Sequence, residues 1–175
     1  LARFGRLDSL FANAGGSGVR GAFHTLSSAD WQATIDLNLG SVVACFALAT
    51  AHWLEAGRPG RLIATSSVAA RVGLPGASGY STTKAAVEGL VRALAIEYGR
   101  AGIIANAILP GYIETEMSLD TPKAFKDGNR RRSASGEIGQ LEDMEGIAVF
   151  LAARESRFLT GQSIVLDGGH TIFPL

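Results

Sequence analysis

Cysteine is nearly absent from this chain, which has one, Cys45, in 175 residues. A single thiol excludes an internal disulfide. The neighbours Val43, Ala44 and Phe46 are apolar, so we expect Cys45 to act as a buried small hydrophobic side chain rather than as a reactive thiol. The three histidines lack metal-ligand spacing, and we expect no metal site.

Charge is also scarce, since 18% of the residues are charged and the 16 basic and 16 acidic side chains cancel. No basic excess points to a nucleic acid, and no acidic tail points to a basic partner. The hydrophobic share is 47% in 175 residues, which is enough for one substantial core but leaves little room for a second domain. We therefore expect residues 1–175 to form one domain.

Long hydrophobic runs are missing as well. The most apolar stretch, 42–54, is short and interrupted by Thr50 and His52, so we expect it not to span a bilayer. The first residues lack the charged region, apolar region and small-residue cleavage site of a signal peptide. These absences predict a cytoplasmic protein without a membrane partner.

Apolar segments of two kinds alternate along the chain. Four short runs rich in β-branched residues predict strands at 9–13, 61–66, 103–109 and 163–166. Longer stretches between them predict helices near 29–55, 78–99 and 141–153. Strands separated by helices imply right-handed crossovers and a parallel sheet, which defines an α/β fold.

Tyr80 and Lys84 stand four residues apart at the start of the second predicted helix. Side chains at this spacing share a helix face, so the Lys84 ammonium can favour the anion of the Tyr80 phenol. A free tyrosine has a pKa of about 10, and a general acid-base near neutral pH needs such electrostatic support. Ser66 and Ser67 end the preceding strand, where ligands bind in open α/β sheets. The pattern predicts a proton-transfer site.

Further motifs accompany this pair in a fixed order: Asn13-Ala14-Gly15, Asn38-Leu39-Gly40, Ser67, the segment 110–115 and Asp167-Gly168-Gly169. Together they resemble the short-chain dehydrogenase/reductase family from the first residues almost to the last. The resemblance implies a Rossmann-type, three-layer α/β/α fold with a parallel sheet. It also implies hydride transfer between NAD or NADP and a small-molecule alcohol or carbonyl compound.

The resemblance assigns four catalytic residues. Ser67 would hydrogen-bond the substrate oxygen, and its spacing of thirteen residues to Tyr80 selects it over Ser66. Tyr80 would act as the general acid-base, while Lys84 would support the phenolate and bind the nicotinamide ribose. Asn38 would hold a water that connects Lys84 to solvent. Asparagine is a mediocre helix former, so its presence inside a predicted helix needs a reason. The alternative to the water-binding role is that Asn38 is simply a polar residue on the helix surface.

The cofactor contacts implied by the resemblance are Asn13, Ala14, Gly15, Tyr80, Lys84, Pro110, Gly111, Ile113 and Thr115. The first three would lie beside the adenosine ribose, with a glycine that permits close backbone approach. The backbone of Ile113 and the hydroxyl of Thr115 would bind the nicotinamide carboxamide. The family usually has asparagine where this chain has Ala12, a difference that we expect to affect strand packing more than chemistry.

The glycine-rich turn that seats the cofactor pyrophosphate in this family does not occur in this sequence. The chain begins at Leu1 without methionine, in a segment that resembles a helix end, a glycine C-cap at Gly5 and a strand. We therefore expect a domain truncated at its N-terminus, with about four of seven strands and no residue that selects NAD or NADP. The first strand would expose an unpaired edge, which predicts poor solubility or stability for the isolated chain.

Residues 116–139 form a polar stretch that we expect to be an irregular, variable substrate lid. The run Arg130-Arg131-Arg132 could attract an anionic substrate, but a solvated charge run is favoured. The segment 167–175 resembles the last strand and subunit-contact region of the family. A homo-oligomer, either tetramer or dimer, is implied, paired through the helix of Tyr80 and the last strand.

Two functions from different classes follow. The first is an NAD(P)-dependent oxidoreductase that interconverts an alcohol and a ketone or aldehyde with Tyr80 as general acid-base. The alternative is a truncated, catalytically inactive fragment that acts only as an assembly or interaction partner. The coding DNA upstream of Leu1 discriminates them, because the first function requires an in-frame strand, glycine-rich turn and helix.

Overall fold

Four strands form one parallel sheet in the computed structural model, which describes residues 3–118 and 120–172. They are β1 (Ser9–Ala12), β2 (Gly60–Thr65), β3 (Ile103–Pro110) and β4 (Ser163–Leu166), adjacent in chain order. Ser9 pairs with Arg61, and Ala107 pairs with Ser163. The four predicted strands are confirmed to within one residue at each end. Expectations for residues 1–2, 119 and 173–175 lie outside the described residues.

The helices are α1 (Ser28–Ile35), α2 (Ser41–Glu55), α3 (Ala69–Val72), α4 (Ser78–Tyr98), α5 (Lys123–Arg132) and α6 (Leu141–Ala152). A π-helical turn, Asp36–Gly40, joins α1 to α2, so the predicted helix 29–55 is one helical run with a widened turn inside it. Short 3₁₀ turns occur at Phe23–Thr25, Gly99–Ala101, Glu116–Ser118 and Arg154–Ser156.

A capping box fixes the start of α1. The Ser27 hydroxyl accepts a hydrogen bond from Asp30 N–H at 3.1 Å, and the Asp30 carboxylate accepts one from Ser27 N–H at 2.9 Å. This reciprocal arrangement satisfies two N–H groups at the helix end. It sets where the long helical run begins.

Alternate side chains of β2 face two different helical layers. Leu62 and Ala64 join the core formed with α2 and α4, where Trp53 is fully buried. Ile63 points to the opposite face and packs with Leu151 of α6. Because successive strand residues alternate in direction, one strand holds both helical layers to the sheet. The predicted three-layer α/β/α architecture is confirmed.

The expected burial of Cys45 is wrong, because its side chain is exposed. The buried residues of α2 include Val42, Phe46 and Trp53, which define the face of the helix that contacts the sheet. Cys45 precedes Phe46 by one residue and is therefore turned about 100° from that face. Its apolar neighbours misled the prediction, because α2 also carries apolar side chains, such as Leu48, on its outer surface.

The helical run Ser28–Glu55 is long and apolar enough, by length and composition alone, to cross a membrane. This run is longer than the 42–54 stretch considered in the sequence. Core helices of other folds meet the same criterion, and here Val42, Phe46 and Trp53 pack into the buried core. The structure thus gives this run a place within an α/β domain.

Residues 116–139 are less irregular than expected, because ten of them form α5. Phe125 packs edge-on against Tyr112 with 5.6 Å between ring centroids, and Lys126 pairs with Glu114 at 2.6 Å. These two contacts dock α5 on the segment that follows β3. The expectation of an irregular lid is corrected to a helix with a non-helical flank, while its role as a lid stays a prediction.

Candidate active site

The carboxyl ends of β1, β2 and β3 lie side by side and carry most of the predicted site residues. Asn13 follows β1, Ser67 follows β2, and Gly111 follows β3. The Thr65 hydroxyl donates to Asn13 Oδ1 at 2.7 Å, and Val68 N–H donates to the Pro110 carbonyl at 3.0 Å. The parallel pairing therefore brings together residues that are about a hundred positions apart in the sequence.

Helix α4 presents Tyr80 and Lys84 to this edge on its first two turns. Lys84 Nζ lies 5.6 Å from the centroid of the Tyr80 ring and donates to the Thr65 carbonyl at 2.8 Å. Lys84 is only 4% exposed. An ammonium has three N–H donors, so two are without an acceptor among the described residues. The geometry supports the predicted pairing of a buried cation with the phenol.

Burial lowers the pKa of Lys84 from 10.5 to about 8, because removal from water disfavours the charged form. The Thr65 carbonyl offsets part of this desolvation by accepting a hydrogen bond. Below a pH of about 8 the group is an ammonium and can stabilise a neighbouring phenolate. Above that pH it becomes a neutral amine and loses this effect.

Asn38 lies in the π-helical turn and is completely buried, so the alternative of a polar surface position is not supported. Its Oδ1 accepts from Gly16 N–H at 3.0 Å, and its Nδ2 donates to the Thr34 carbonyl at 3.1 Å. An amide side chain has two donors and two acceptor lone pairs. Within the part of the chain that the structure describes, one N–H and one lone pair therefore remain for the predicted water.

Gly15 keeps a space open between Asn38 and Lys84. A Cβ at this position would lie 2.9 Å from Asn38 Oδ1 and 3.3 Å from Lys84 Nζ. The first distance is shorter than a carbon–oxygen contact allows, so any side chain here would displace one of these polar groups. The missing side chain leaves a cradle bordered by the two groups, which suits a small polar ligand or a cofactor hydroxyl.

The two serines at the end of β2 have different surroundings. Ser66 is 2% exposed, and its hydroxyl donates to the Lys84 carbonyl at 2.7 Å. Ser67 is partly exposed, and its Oγ accepts from Ala69 N–H at 3.1 Å, which leaves the hydroxyl proton for another acceptor. The Ser66 hydroxyl is thus occupied by a hydrogen bond inside the fold, whereas the Ser67 hydroxyl can face a substrate.

Gly111 is required by the close approach of the next strand. A Cβ there would lie 2.7 Å from Asp167 Cβ and 2.9 Å from Asp167 Cα. Gly111 N–H also donates to the Leu166 carbonyl at 2.9 Å. The Pro110-Gly111 step therefore fixes where the chain leaves β3.

Ile113 and Thr115 contact the segment that follows them rather than Tyr80 or Lys84. Gly139 N–H donates to the Tyr112 carbonyl, and Glu114 N–H donates to the Gly139 carbonyl. In such a parallel bridge, the N–H and carbonyl of Ile113 itself face away from Gly139. Thr115 N–H donates to Ser118 Oγ at 2.8 Å. These residues are placed beside the edge, with the backbone of Ile113 directed away from the bridge.

Two features of the site were not anticipated from the sequence. Thr65 anchors both Lys84, through its carbonyl, and Asn13, through its hydroxyl. The π-helical turn rotates Asn38 into the interior, and a π turn has no dependable sequence pattern. The available signal was an asparagine two residues before Gly40 in the middle of an apolar helix.

Comparison with known proteins identifies the family of this chain. The family described as enoyl-(acyl carrier protein) reductase, a group of short-chain dehydrogenases, matches residues 1–171. The chain belongs to the short-chain dehydrogenase/reductase family. A subunit of (2S)-[(R)-hydroxy(phenyl)methyl]succinyl-CoA dehydrogenase from Thauera aromatica is 40% identical over 97% of this chain and 67% of its own length. Gluconate 5-dehydrogenase of Gluconobacter oxydans is 35% identical over 96% of this chain and 66% of its own length.

A solved member of the family shares the fold closely. The crystal structure of gluconate 5-dehydrogenase from Burkholderia cenocepacia, in complex with NADP and tartrate, superposes with a TM-score of 0.91. It is 35% identical, and the match covers 97% of this chain and 67% of that one. The chain thus spans about two thirds of the length of the relatives it matches. The catalytic activity of a whole enzyme is for that reason a proposal.

Lys84→Met is expected to change how stability depends on pH. The folded-state pKa of Lys84, about 8, is below the 10.5 of the unfolded chain. Both states carry the proton below pH 8, and only the unfolded state carries it between pH 8 and 10.5. The parent should therefore gain up to about 3 kcal/mol in free energy of unfolding across that range, and the variant should not gain it.

Urea unfolding of the cofactor-free protein at pH 7, 8, 9 and 10 measures this difference. Other groups that titrate in the range are common to parent and variant and cancel in the comparison. Parallel stability curves for the two proteins would show that Lys84 keeps an ordinary pKa.

Proposed function

We propose that this chain is the catalytic portion of an NAD(P)-dependent oxidoreductase that interconverts an alcohol and a ketone or aldehyde, with Tyr80 as general acid-base. The observation that carries the proposal is the buried ammonium of Lys84, 5.6 Å from the Tyr80 ring at the strand end that bears Ser67. The combination of hydroxyl, phenol and ammonium matches what carbonyl reduction requires.

The bound nicotinamide cofactor would supply a hydride to the carbonyl carbon in reduction, or accept one in oxidation. In reduction, the hydroxyls of Ser67 and Tyr80 donate hydrogen bonds to the carbonyl oxygen. The Tyr80 proton then moves to that oxygen, which yields the alcohol and leaves a phenolate. Lys84 stabilises this phenolate, because an opposite charge nearby favours the ionised form. Oxidation runs through the same groups in reverse.

The chain has groups suited to one half of a dinucleotide. Gly15 leaves a cradle between Asn38 Oδ1 and Lys84 Nζ, and Lys84 retains two N–H donors for ribose hydroxyls. The N–H and carbonyl of Ile113 suit the nicotinamide carboxamide, which offers one acceptor and donors. Asn13 and Ala14 are exposed beside this cradle. These residues fit the cofactor, but they include no glycine-rich turn that would bind the pyrophosphate.

The proposal is tested by measuring turnover. The protein is expressed together with any coding sequence that precedes Leu1 in frame. NADH and NADPH fluorescence titrations measure cofactor affinity. Dehydrogenase activity is then screened on hydroxylated carboxylates and hydroxyacyl thioesters, the compound classes in the names of the relatives. Binding with turnover is expected. Absence of both would leave the alternative, an inactive fragment that acts as an assembly partner.

We further propose a homo-oligomer that pairs through α4, the helix of Tyr80, and through α2. The predicted contact through the last strand stays a prediction. An apolar groove between these helices is lined by Val43, Phe46, Leu90, Leu94 and Tyr98, among others. Val43, Leu48 and Leu54 of α2 are exposed together, and an exposed apolar surface shared by several residues is typical of a contact site. A second copy that presents the same two helices would cover this surface by an isologous contact.

Leu48→Glu is expected to lower the oligomeric state, because it would bury a charge in an apolar contact. Phe4→Glu is the matched control, since Phe4 is 76% exposed and lies far from α2 in the sequence. Sedimentation velocity on both variants measures the effect. An unchanged state for Leu48→Glu, or an equal loss in the control, would contradict pairing through α2.

A further inference from the structure

Glu88 is a buried acidic residue to which the proposed chemistry gives no role. It is 7% exposed and lies on α4 four residues after Lys84 and eight after Tyr80. Residues at these spacings form one row along a helix. Glu88 therefore continues the catalytic row by one turn, and a carboxylate is seldom buried without a partner.

The partner of Glu88 is Arg71, in the short helix α3 that follows Ser67. Arg71 Nη2 lies 3.1 Å from Glu88 Oε2 and 3.2 Å from the Ser163 carbonyl, to which it also donates. The Arg71 side chain is 45% exposed, whereas the Glu88 side chain is 10% exposed. One guanidinium thus joins α3, α4 and β4, and it reaches the carboxylate from the solvent side.

Ser67 stands between two connections to the same helix. Before it, the Ser66 hydroxyl donates to the Lys84 carbonyl at 2.7 Å. After it, Arg71 donates to Glu88 at 3.1 Å. The two acceptors are one helical turn apart on α4. A slide or rotation of α4 relative to residues 66–71 would break both connections, so together they fix the register of the helix against Ser67.

We infer that Arg71 and Glu88 are a positioning pair that holds the Ser67 hydroxyl and the Tyr80 phenol at the spacing needed to reach one substrate oxygen. This inference rests on the proposed function. Neither side chain touches the reacting atoms, and they act only through the segment and the helix that they join. Misplacement of a catalytic group by about 1 Å can cost roughly a hundredfold in rate, so a loosened register should lower kcat.

Three variants of the protein, expressed with its in-frame upstream sequence, test the pair. Arg71→Met removes the cation and should lower kcat about 10- to 100-fold while the Kd for NADH or NADPH changes by less than about threefold. Arg71→Lys restores a charge of the same sign and should recover kcat to within about fivefold of the parent. The double variant Arg71→Met/Glu88→Leu replaces the ion pair by apolar groups, which commonly restores stability.

The double variant separates positioning from stability. If the pair positions the catalytic groups, Tm recovers in the double variant, but kcat stays well below that of the parent, because an apolar contact has no fixed direction. Recovery of kcat together with Tm would overturn the inference. Values of kcat within twofold of the parent in all three variants would overturn it as well.

Arg6→Met is the matched control, since Arg6 forms an exposed ion pair with Asp8 at 2.7 Å, near the amino end of β1. It should leave kcat and Tm close to the parent values, because exposed ion pairs contribute little. An inactive parent protein would overturn the proposed function and this inference together. An active parent with an inactive Tyr80→Phe variant, but unaffected Arg71 variants, would overturn this inference alone.

Discussion

Tyr80→Phe is expected to abolish turnover and to leave cofactor binding nearly unchanged. The substitution removes one hydroxyl, the group that exchanges a proton with the substrate oxygen in the proposed reaction. General acid-base catalysis by a positioned side chain contributes about 10²- to 10⁴-fold, so kcat should fall by at least that order. The phenyl ring can keep its place beside Lys84 Nζ, 5.6 Å from the ring centroid, because that contact does not use the hydroxyl.

Steady-state kinetics in both directions and NADH fluorescence titration measure these two properties. Tyr98→Phe is the control, because it makes the same chemical change at the other end of the same helix. The variant at Tyr98 should keep parental kcat. Activity of the Tyr80 variant within about tenfold of the parent would refute the proton-transfer role.

Ser67→Ala and Ser66→Ala are expected to affect different properties, catalysis and stability, although the two residues are neighbours. The Ser67 hydroxyl donates to no acceptor among the described residues and can bond a substrate oxygen, so its loss should lower kcat/KM by about 10²- to 10³-fold, the usual effect of removing one donor to a developing oxyanion. Its contribution to stability should be small. Ser66 is buried and bonded to the Lys84 carbonyl, so its loss should lower the free energy of unfolding by about 1–2 kcal/mol.

Urea unfolding and kinetics on the same two preparations give a direct comparison. Each variant is the control for the other, because the change in chemistry is identical and the positions differ by one residue. A larger loss of kcat/KM in Ser66→Ala than in Ser67→Ala would show that the spacing to Tyr80 selected the wrong serine.

The strands and their parallel pairing were predictable from the sequence. Runs such as 61–66 are short, apolar and followed by helical periodicity, and this alternation leaves few topologies for a chain of this length. The order of motifs identified the family, which the matching relatives confirm. The spacing of Tyr80 and Lys84 placed both on one face because helix geometry is local and regular.

Side-chain burial on the helices was less predictable. Cys45 was expected inside and lies outside, because α2 has apolar side chains on two faces and only its packing against the sheet shows which face is buried. The helix α5 was missed within residues 116–139, since its glycine and charged residues give no strong apolar stripe. Helix formation there depends on contacts such as that between Phe125 and Tyr112, which join distant positions.

The sequence alone determined the chemistry that this chain offers, namely a phenol, an ammonium and a hydroxyl at spacings that helix and strand geometry convert into one site. Only the tertiary structure decided which serine is free, how Asn38 is turned inward and that Arg71 reaches Glu88. Those outcomes depend on hydrogen bonds and close contacts between segments far apart in the chain. Local periodicity carries no information about such contacts, because they exist only after the sheet and its helices have packed.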